Sequence, residues 1–577
     1  MDLDSYKEES NVQVFDYVIV GAGPSAMGIL RGLLEEEISK SAGRSSDQKQ
    51  VSIAIVERGD GPPHDSITQP PERWYEAANL PSKSVQHFPS EITGRTMEIP
   101  VGQGIGGTSN VNACLCLPPL QRDLESWPEP YRSSLVSTAE YLSKIMEENN
   151  AIHHTPIETT PNPFSMQQQS ILDFYPTVPT MTAQNSKTSK LIRINYFDAL
   201  VEPLLTEHPF LKQHLNWFRG YEVQRLLLKS DDSTQVIGVE CARANWDHSS
   251  AYEQIHARKQ IILCTGAIET PALLLVSKLG DKEPLLGVGQ GLVDQALLAR
   301  VYLKSPSLGN NNSSTSPNGI AALGHIRVEG DSDRSTFQTF QVAITDSVAN
   351  ASIIPSVVPM ALRWRCKSKI LTAILEVLFQ GLKAVIHIVL LYTPLGFLLS
   401  QLTTTTMIFL MHPKSRGSVT IALKKDFKPE AEEPKRRKDV TIDANPNYLG
   451  DSQDEKALKL AWDALGRLSS SSLELFPSLV FSVFNVVSNN NFWFHSYCRS
   501  FLLPYYHFSG SCAMITNASD NRNWVVDSSL KVRGHEGLYI CDASVFPSMV
   551  SNPPALTCAA LGYTFARSTI LAKEVEK

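Results

Sequence analysis

"FDYVIVGAGPSAMGILRGLLEE", Phe15 to Glu36, opens on an apolar run from Tyr17 to Val20 and breaks at Gly21 and Gly23. It continues with Met27, Ile29, Leu30, Leu33 and Leu34 at helical spacing. The pattern predicts a strand, a tight glycine turn and an amphipathic helix. Gly21 permits the sharp turn, Gly23 lets backbone come close to a pyrophosphate, and Ala26 is small enough for the helix to pack on the strand. A phosphate placed there meets unpaired N–H groups at the positive end of a helix dipole. Downstream, "VSIAIVERGD" predicts a second strand ending at Glu57, placed to accept hydrogen bonds from a ribose hydroxyl pair. The gap from Gly23 to Glu57 exceeds the roughly 20 residues usual for this fingerprint. The polar "SKSAGRSSDQKQ" accounts for the excess as a loop insertion. An acid at this place favours an unphosphorylated ribose, hence FAD or NAD and not NADP. Taken alone, a GxGxxA also fits glycines in an ordinary turn.

Composition narrows the class. A chain of 577 residues is too long for one compact core and fits two or more domains. A net charge of −7 gives no basic footprint, which excludes nucleic acid as an expected partner. The cluster "KRRK", Lys435 to Lys438, lies beside "PEAEEP" and is expected to be a solvated loop. Nine cysteines without a CxxC pair predict a reducing compartment and no metal site; Cys114 and Cys116 fit a strand pair. The opening "MDLDSYKEES" has neither a basic nor an apolar region, so no secretory signal is expected and the localisation is intracellular, cytoplasmic or membrane-associated. The sequons at Asn311, Asn312, Asn350 and Asn517 are then chance matches.

A second glycine-rich stretch, "VGQGIGGTSNVNACL", carries Gly107, Thr108 and Asn112, and four glycines within six residues predict close backbone approach to something bulky. This stretch resembles the "GGxSxxN" element of the glucose-methanol-choline (GMC) oxidoreductases, a family of FAD enzymes. Further matches follow in the family's order: "IILCTGAIETPALLLVSKLG", "GVGQGLVDQ", "HPKSRGSVTIA", "YYHFSGSCAM" and "DASVFPSMVSNPPALT". The wording of "VSNPPALT" is closest to the NPxxT branch of cholesterol, long-chain alcohol and pyranose oxidases. The resemblance covers nearly the whole chain. It departs from the family's pattern at Ser511, at Gln295 in place of the histidine of "DH", and in "ACLCLPPL" after Asn112, which together suggest a divergent substrate pocket.

The resemblance implies an α/β fold: a Rossmann-like FAD-binding domain with an inserted α+β substrate domain. The FAD domain is expected from 1–120, 190–300 and 500–577, the substrate domain from 121–189 and 301–499. A strand at Leu538 to Cys541 would then return to the sheet begun at Tyr17, bringing Asp542, Ala543 and Pro553 to the flavin. A helix N-cap or turn role for Asp542 is compatible with that placement. Val223 matches the position where the family's backbone meets adenine, and its bland reading is a buried strand valine. The chemistry implied is alcohol oxidation by hydride transfer to flavin N5, with oxygen or another electron acceptor regenerating the cofactor. His507 matches the family's catalytic histidine, suited to taking the hydroxyl proton. Asn552 cannot act as a base and is assigned to hold the substrate oxygen. Rival readings are an FAD-containing lyase or isomerase and a degenerate cofactor-binding protein; covalent attachment of the flavin stays open.

The greasiest segment, 370–413, has no charged residue from Ala384 to Pro413, but Pro394 and Gly396 interrupt it. Ala384 to Leu399 falls short of the roughly 20 residues a spanning helix needs. Two expectations stand: a buried helix pair in the substrate domain, or an interfacial hairpin making peripheral membrane contact, with Arg363, Arg365, Lys367 and Lys369 toward anionic headgroups. With the NPxxT resemblance, this composition points to a small-molecule apolar alcohol: a fatty alcohol, sterol, terpenoid or polyketide.

Overall fold

A computed structural model describes residues 12–41, 50–60, 69–79, 85–93, 95–156, 172–185, 188–230, 232–244, 252–279, 285–303, 316–329, 337–345, 402–424, 436–468, 474–476, 490–516 and 524–572, with 385, 394 and 398. The opening decapeptide, the four sequons and most of 370–401 lie outside them.

The apolar run at the N-terminus forms the strand Val12–Val20, and the helix Pro24–Ser41 follows it directly. In its sheet the order is Leu215–Arg219, Ile53–Glu57, Val12–Val20, Glu253–Leu263, Asp232–Arg243 and Tyr221–Lys229. The C-terminal strand Leu538–Ile540 lies parallel to Glu253–Leu263, with Ile261 opposite Leu538 and Leu263 opposite Ile540. The resemblance therefore holds at the level of topology: a strand from residue 538 onward completes a sheet begun at residue 12. The central strands run parallel with near-continuous burial, as expected when helices cover both faces.

Both chain ends also share a helical layer. The helix Pro24–Ser41 packs on the last α-helix, Pro554–Phe565, with almost no space between their backbones. A Cβ placed on Gly28 would lie 1.9 Å from the Ala559 carbonyl oxygen, and one on Gly562 would lie 2.0 Å from that of Ser25. The helix Tyr131–Glu148 adds to this layer. Its Tyr131, Leu135, Ala139 and Leu142 join the core of the first sheet, so this part of 121–189 packs with the dinucleotide-binding half and not with the substrate region.

The second sheet is antiparallel, in the order Glu474–Phe476, Ala296–Leu303, Thr403–Leu410, Phe337–Thr345, Ile320–Glu329 and Leu172–Phe174. Its period-two pattern sorts side chains to two faces. Leu298, Val342, Ile344, Ile408 and Leu410 meet the helices Ser452–Leu468 and Asn490–Phe501, while Leu297, Ala299, Ala343, Met407 and Phe409 form a separate apolar cluster on the other face. Ala296–Leu303 stands within this sheet, so the passage between the two regions falls ahead of residue 300. Thr403–Leu410, the end of the greasy segment, is a strand buried along its whole length. Among the described residues, no helix is long and apolar enough to cross a membrane.

Substituting Gly28→Ala is expected to overpack the helix pair and lower stability by about 1–3 kcal/mol. The thermal unfolding midpoint of the purified protein measures it; an unchanged midpoint would mean that the two helices part without cost.

Candidate functional site

The carboxyl ends of four strands converge on one cleft. Val12–Val20 delivers Gly21, Ile53–Glu57 delivers Glu57, Glu253–Leu263 leads into the helix Gly266–Val276, and Leu538–Ile540 leads to Asp542. The outer ends of parallel strands are where open α/β sheets place ligands. A long cavity starts there and extends to the apolar face of the second sheet. Gly21, Gly23, Glu57, Gly107, Thr108, Asn112, Val223, Asp542, Ala543, Pro553 and His507 all line it. Ala26 lies outside, fully buried in the packing of its helix. Asn552 is buried too and is not on the cavity wall.

Glu57 binds the glycine loops together. Its Oε2 accepts from the Ala22 N–H at 3.0 Å, and its Oε1 accepts from the N–H groups of Gly59 and Gly104, each at 2.8 Å. Oε2 retains a lone pair for a ribose hydroxyl. The second glycine stretch is tied to the first by Gly106 N–H donating to Ala22 O at 2.9 Å. A Cβ on Gly107 would come within 2.8 Å of Gly23 Cα, so only glycine fits that junction. On the cleft side the wall is bare. A Cβ on Gly23 would meet only Cys264 O, at 3.9 Å, and one on Gly266 would meet nothing within 4 Å. Exposed backbone at a helix start is the cradle a pyrophosphate requires, so the residues fit a dinucleotide cofactor.

Asp542 caps and joins. Its carboxylate accepts from Ser544 N–H at 2.8 Å, Gly266 N–H at 2.9 Å and the Thr270 hydroxyl at 2.6 Å. Burial raises its pKa, and these donors pull the other way. It is thus the N-cap of the turn Ala543–Val545 and also fixes the start of the helix Gly266–Val276 beside the cleft.

The same end of the cleft holds a buried ion cluster that sequence patterning concealed. Glu269 bridges Arg58 Nη1 at 2.7 Å and Arg437 Nε at 2.8 Å. Burial alone would raise its pKa, but the charges of Arg437 and Arg58 outweigh that and hold it at about 2. The expectation of a solvated "KRRK" loop is corrected here: Arg437 is 7 % exposed, and Arg436 pairs with Glu240 at 2.8 Å. Its partners lie 168 and 196 residues away, beyond any local pattern.

His507 stands at the cavity's other end. Its backbone N–H donates to Asp294 Oδ1 at 2.6 Å, and its Nδ1 lies 2.7 Å from Gln295 Oε1. Asp294 Oδ2 also takes the N–H groups of Tyr505 and Tyr506 at 3.0 and 3.2 Å and the Tyr448 hydroxyl. These bonds hold a turn in which Tyr506 adopts φ +63°, a conformation unfavourable for a bulky residue. Burial pushes Asp294 up to about 6 against those donors, and burial pushes the His507 imidazole down to about 3, so that it is neutral near pH 7. The Tyr505 ring lies against the imidazole, centroids 3.9 Å apart, and Phe409 stacks on Tyr505 at 4.0 Å. Asn552 is engaged elsewhere: its Oδ1 accepts from Tyr175 OH at 2.9 Å and Gln341 Nε2 at 3.3 Å, and its Nδ2 donates to Pro118 O at 2.7 Å. One amide hydrogen is left. Asp294 and Glu269 lie inside matched stretches, "GVGQGLVDQ" and "IILCTGAIETPALLLVSKLG", but neither pattern indicates their partners, and Gln295 stands out only as a departure from "DH".

Family models described as GMC oxidoreductase match residues 15–172 and 208–297 with the N-terminal part and 413–562 with the C-terminal part, together more than half of the chain. Among curated relatives, the GMC oxidoreductase family protein Mala s 12 of Malassezia sympodialis is 24% identical, covering 93% of this chain and 89% of its own length. Ecdysone oxidase of Bombyx mori is 23% identical over 94% of this chain and 80% of its own. Among solved structures, pyridoxine 4-oxidase from Mesorbium loti superposes with a TM-score of 0.63 at 18% identity, covering 96% of this chain and 99% of its own.

Glu269 in its cluster supplies stability that is present above its unfolded pKa near 4.5 and is lost as pH falls through about 2. Glu269→Gln removes the carboxylate that Arg437 and Arg58 share, leaving Arg437 without its close ion-pair partner and Arg58 with only the longer contact to Glu222 at 3.6 Å, and is expected to cost about 3–5 kcal/mol at neutral pH. In urea unfolding, its deficit against wild type should shrink as pH drops from about 4.5 toward 2; a pH-independent deficit would contradict the assignment.

Proposed function

The chain belongs to the GMC oxidoreductases, and from that premise we propose that it oxidises the carbinol of an apolar alcohol, with His507 as the proton acceptor. It is an FAD-dependent oxidoreductase acting on CH–OH donors. FAD, when bound, supplies the two-electron acceptor that no side chain can provide. What the chain itself supplies is position. The glycine loops and Glu57 offer backbone donors and a carboxylate to the dinucleotide, and Ala543 and Pro553 line the cavity where the last strand and helix meet. His507, neutral through burial, keeps a lone pair for the hydroxyl proton.

The observation that carries the substrate class is the wall His507 shares. Leu297, Ala299, Ile320, Ala343, Met407, Phe409 and Leu503 line the second-sheet end of the cavity, and no charged side chain stands among them. These seven side chains offer no hydrogen-bonding group to a sugar and no carboxylate to a choline cation, and they gain free energy by covering hydrocarbon, at about 25 cal/mol per Å2. A relative named as an ecdysone oxidase is in keeping with this class. Oxygen or another electron acceptor completes the turnover.

The test is anaerobic bleaching of the protein's yellow colour across a panel of alcohols. Long-chain or polycyclic alcohols are expected to bleach it in preference to glucose and choline. His507→Ala should retain the colour and slow bleaching by about 10^2- to 10^4-fold, the contribution of a general base. Preference for glucose or choline would overturn the substrate class. A colour left oxidised by every alcohol would favour lyase or isomerase chemistry on the same fold.

A further inference from the structure

We propose that Gln295 is a positioning residue that fixes His507 as the Nδ1-protonated tautomer and so leaves the Nε2 lone pair to the cavity. The inference deepens the reading of His507 as the base and rests on it. It begins with an amide that cannot turn round. Gln295 is fully buried, and its Nε2 lies 3.0 Å from Met411 O and 2.9 Å from Val550 O. Carbonyl oxygens only accept, so both positions demand the amide nitrogen; the flipped amide would set oxygen against oxygen twice. Oε1 is therefore the atom 2.7 Å from His507 Nδ1, and since it can only accept, Nδ1 must carry the hydrogen. In a neutral imidazole the other nitrogen then holds the lone pair. No described residue hydrogen-bonds Nε2, and the ring lines the cavity.

The surrounding groups leave the assignment to Gln295. Asp294 meets the backbone N–H of His507 and not its ring, and Tyr505 contacts the imidazole by its ring face while its hydroxyl donates to Gln341 Oε1 at 3.1 Å. The two carbonyls that orient Gln295 come from the residue just past the strand Thr403–Leu410 and from the loop ahead of Asn552. A single side chain thus ties the substrate sheet, the last loop of the cofactor half and the imidazole together. A histidine at this position, as in the resembling "DH" motif, has only two ring nitrogens and cannot serve both carbonyls and still accept from Nδ1.

The experiment uses the FAD-bound, oxidised protein labelled with 15N-histidine. Long-range 1H–15N spectra distinguish the two neutral tautomers, and the His507 signals are identified by their loss in His507→Ala. Wild type should show the Nδ1–H form, and Gln295→Met should shift the signals to the Nε2–H form or a mixture. With whichever panel alcohol bleaches wild type fastest, Gln295→Met should reduce the limiting rate by up to about 10^4-fold, the loss a wrong tautomer brings to a catalytic histidine, with little change in half-saturation. An Nε2–H signal in wild type would overturn the proposal even if the variant failed to fold, and so would an unchanged tautomer in Gln295→Met. The underlying reading fails separately: wild-type bleaching rates in His507→Ala would remove the base while the spectra still reported on Gln295.

Discussion

The backbones of the first and last helices touch, and there is no room for a side chain between them. Gly28 against Ala559 and Gly562 against Ser25 make this contact, and the arrangement of the cleft depends on it. Held together there, the loop after Val12–Val20 and the turn after Leu538–Ile540 face each other across the strand Glu253–Leu263. Termini more than 500 residues apart in sequence become two walls of one site. The carboxylates that stitch these walls, Glu57 and Asp542, each bind backbone groups from other loops, so they shape the cleft as well as line it.

The cavity is chemically divided. Its sheet-end half is glycine, carboxylate and open backbone, suited to a dinucleotide; its far half is the apolar face of an antiparallel sheet. His507 belongs to neither sheet. It sits on a turn whose N–H groups converge on the buried Asp294, and its ring is braced by Tyr505, Phe409 and Gln295. Such supports lock the position and orientation of the ring.

Local chemistry made the cofactor half legible in sequence. Strand, glycine turn and helix leave a period and a composition within twenty residues, and these show Gly21, Gly23 and Glu57 at strand ends, whereas the place of Asp542 came from the family resemblance. The missing parts depend on partners distant in sequence. Arg437 looks solvated because an acidic run adjoins it, whereas Glu269 neutralises it in the interior. Thr403–Leu410 looks like the tail of a greasy insertion because a strand buried on both faces has no alternation to show. Asp294 and Gln295 lie some 210 residues from the histidine they hold, and no pattern around either of them indicates it. Asn552, singled out by motif position, has its oxygen engaged by Tyr175 and Gln341.

One cofactor is expected to span from the glycine loops to Pro553 and to end facing a neutral imidazole beside an apolar wall. A crystal structure of the FAD-bound protein tests it most directly. The adenosine should lie near Glu57 and Val223 and the isoalloxazine beside Ala543 and Pro553, with His507 Nε2 open toward that ring. An isoalloxazine lodged elsewhere, or an imidazole turned from it with Nε2 bonded to protein, would contradict it.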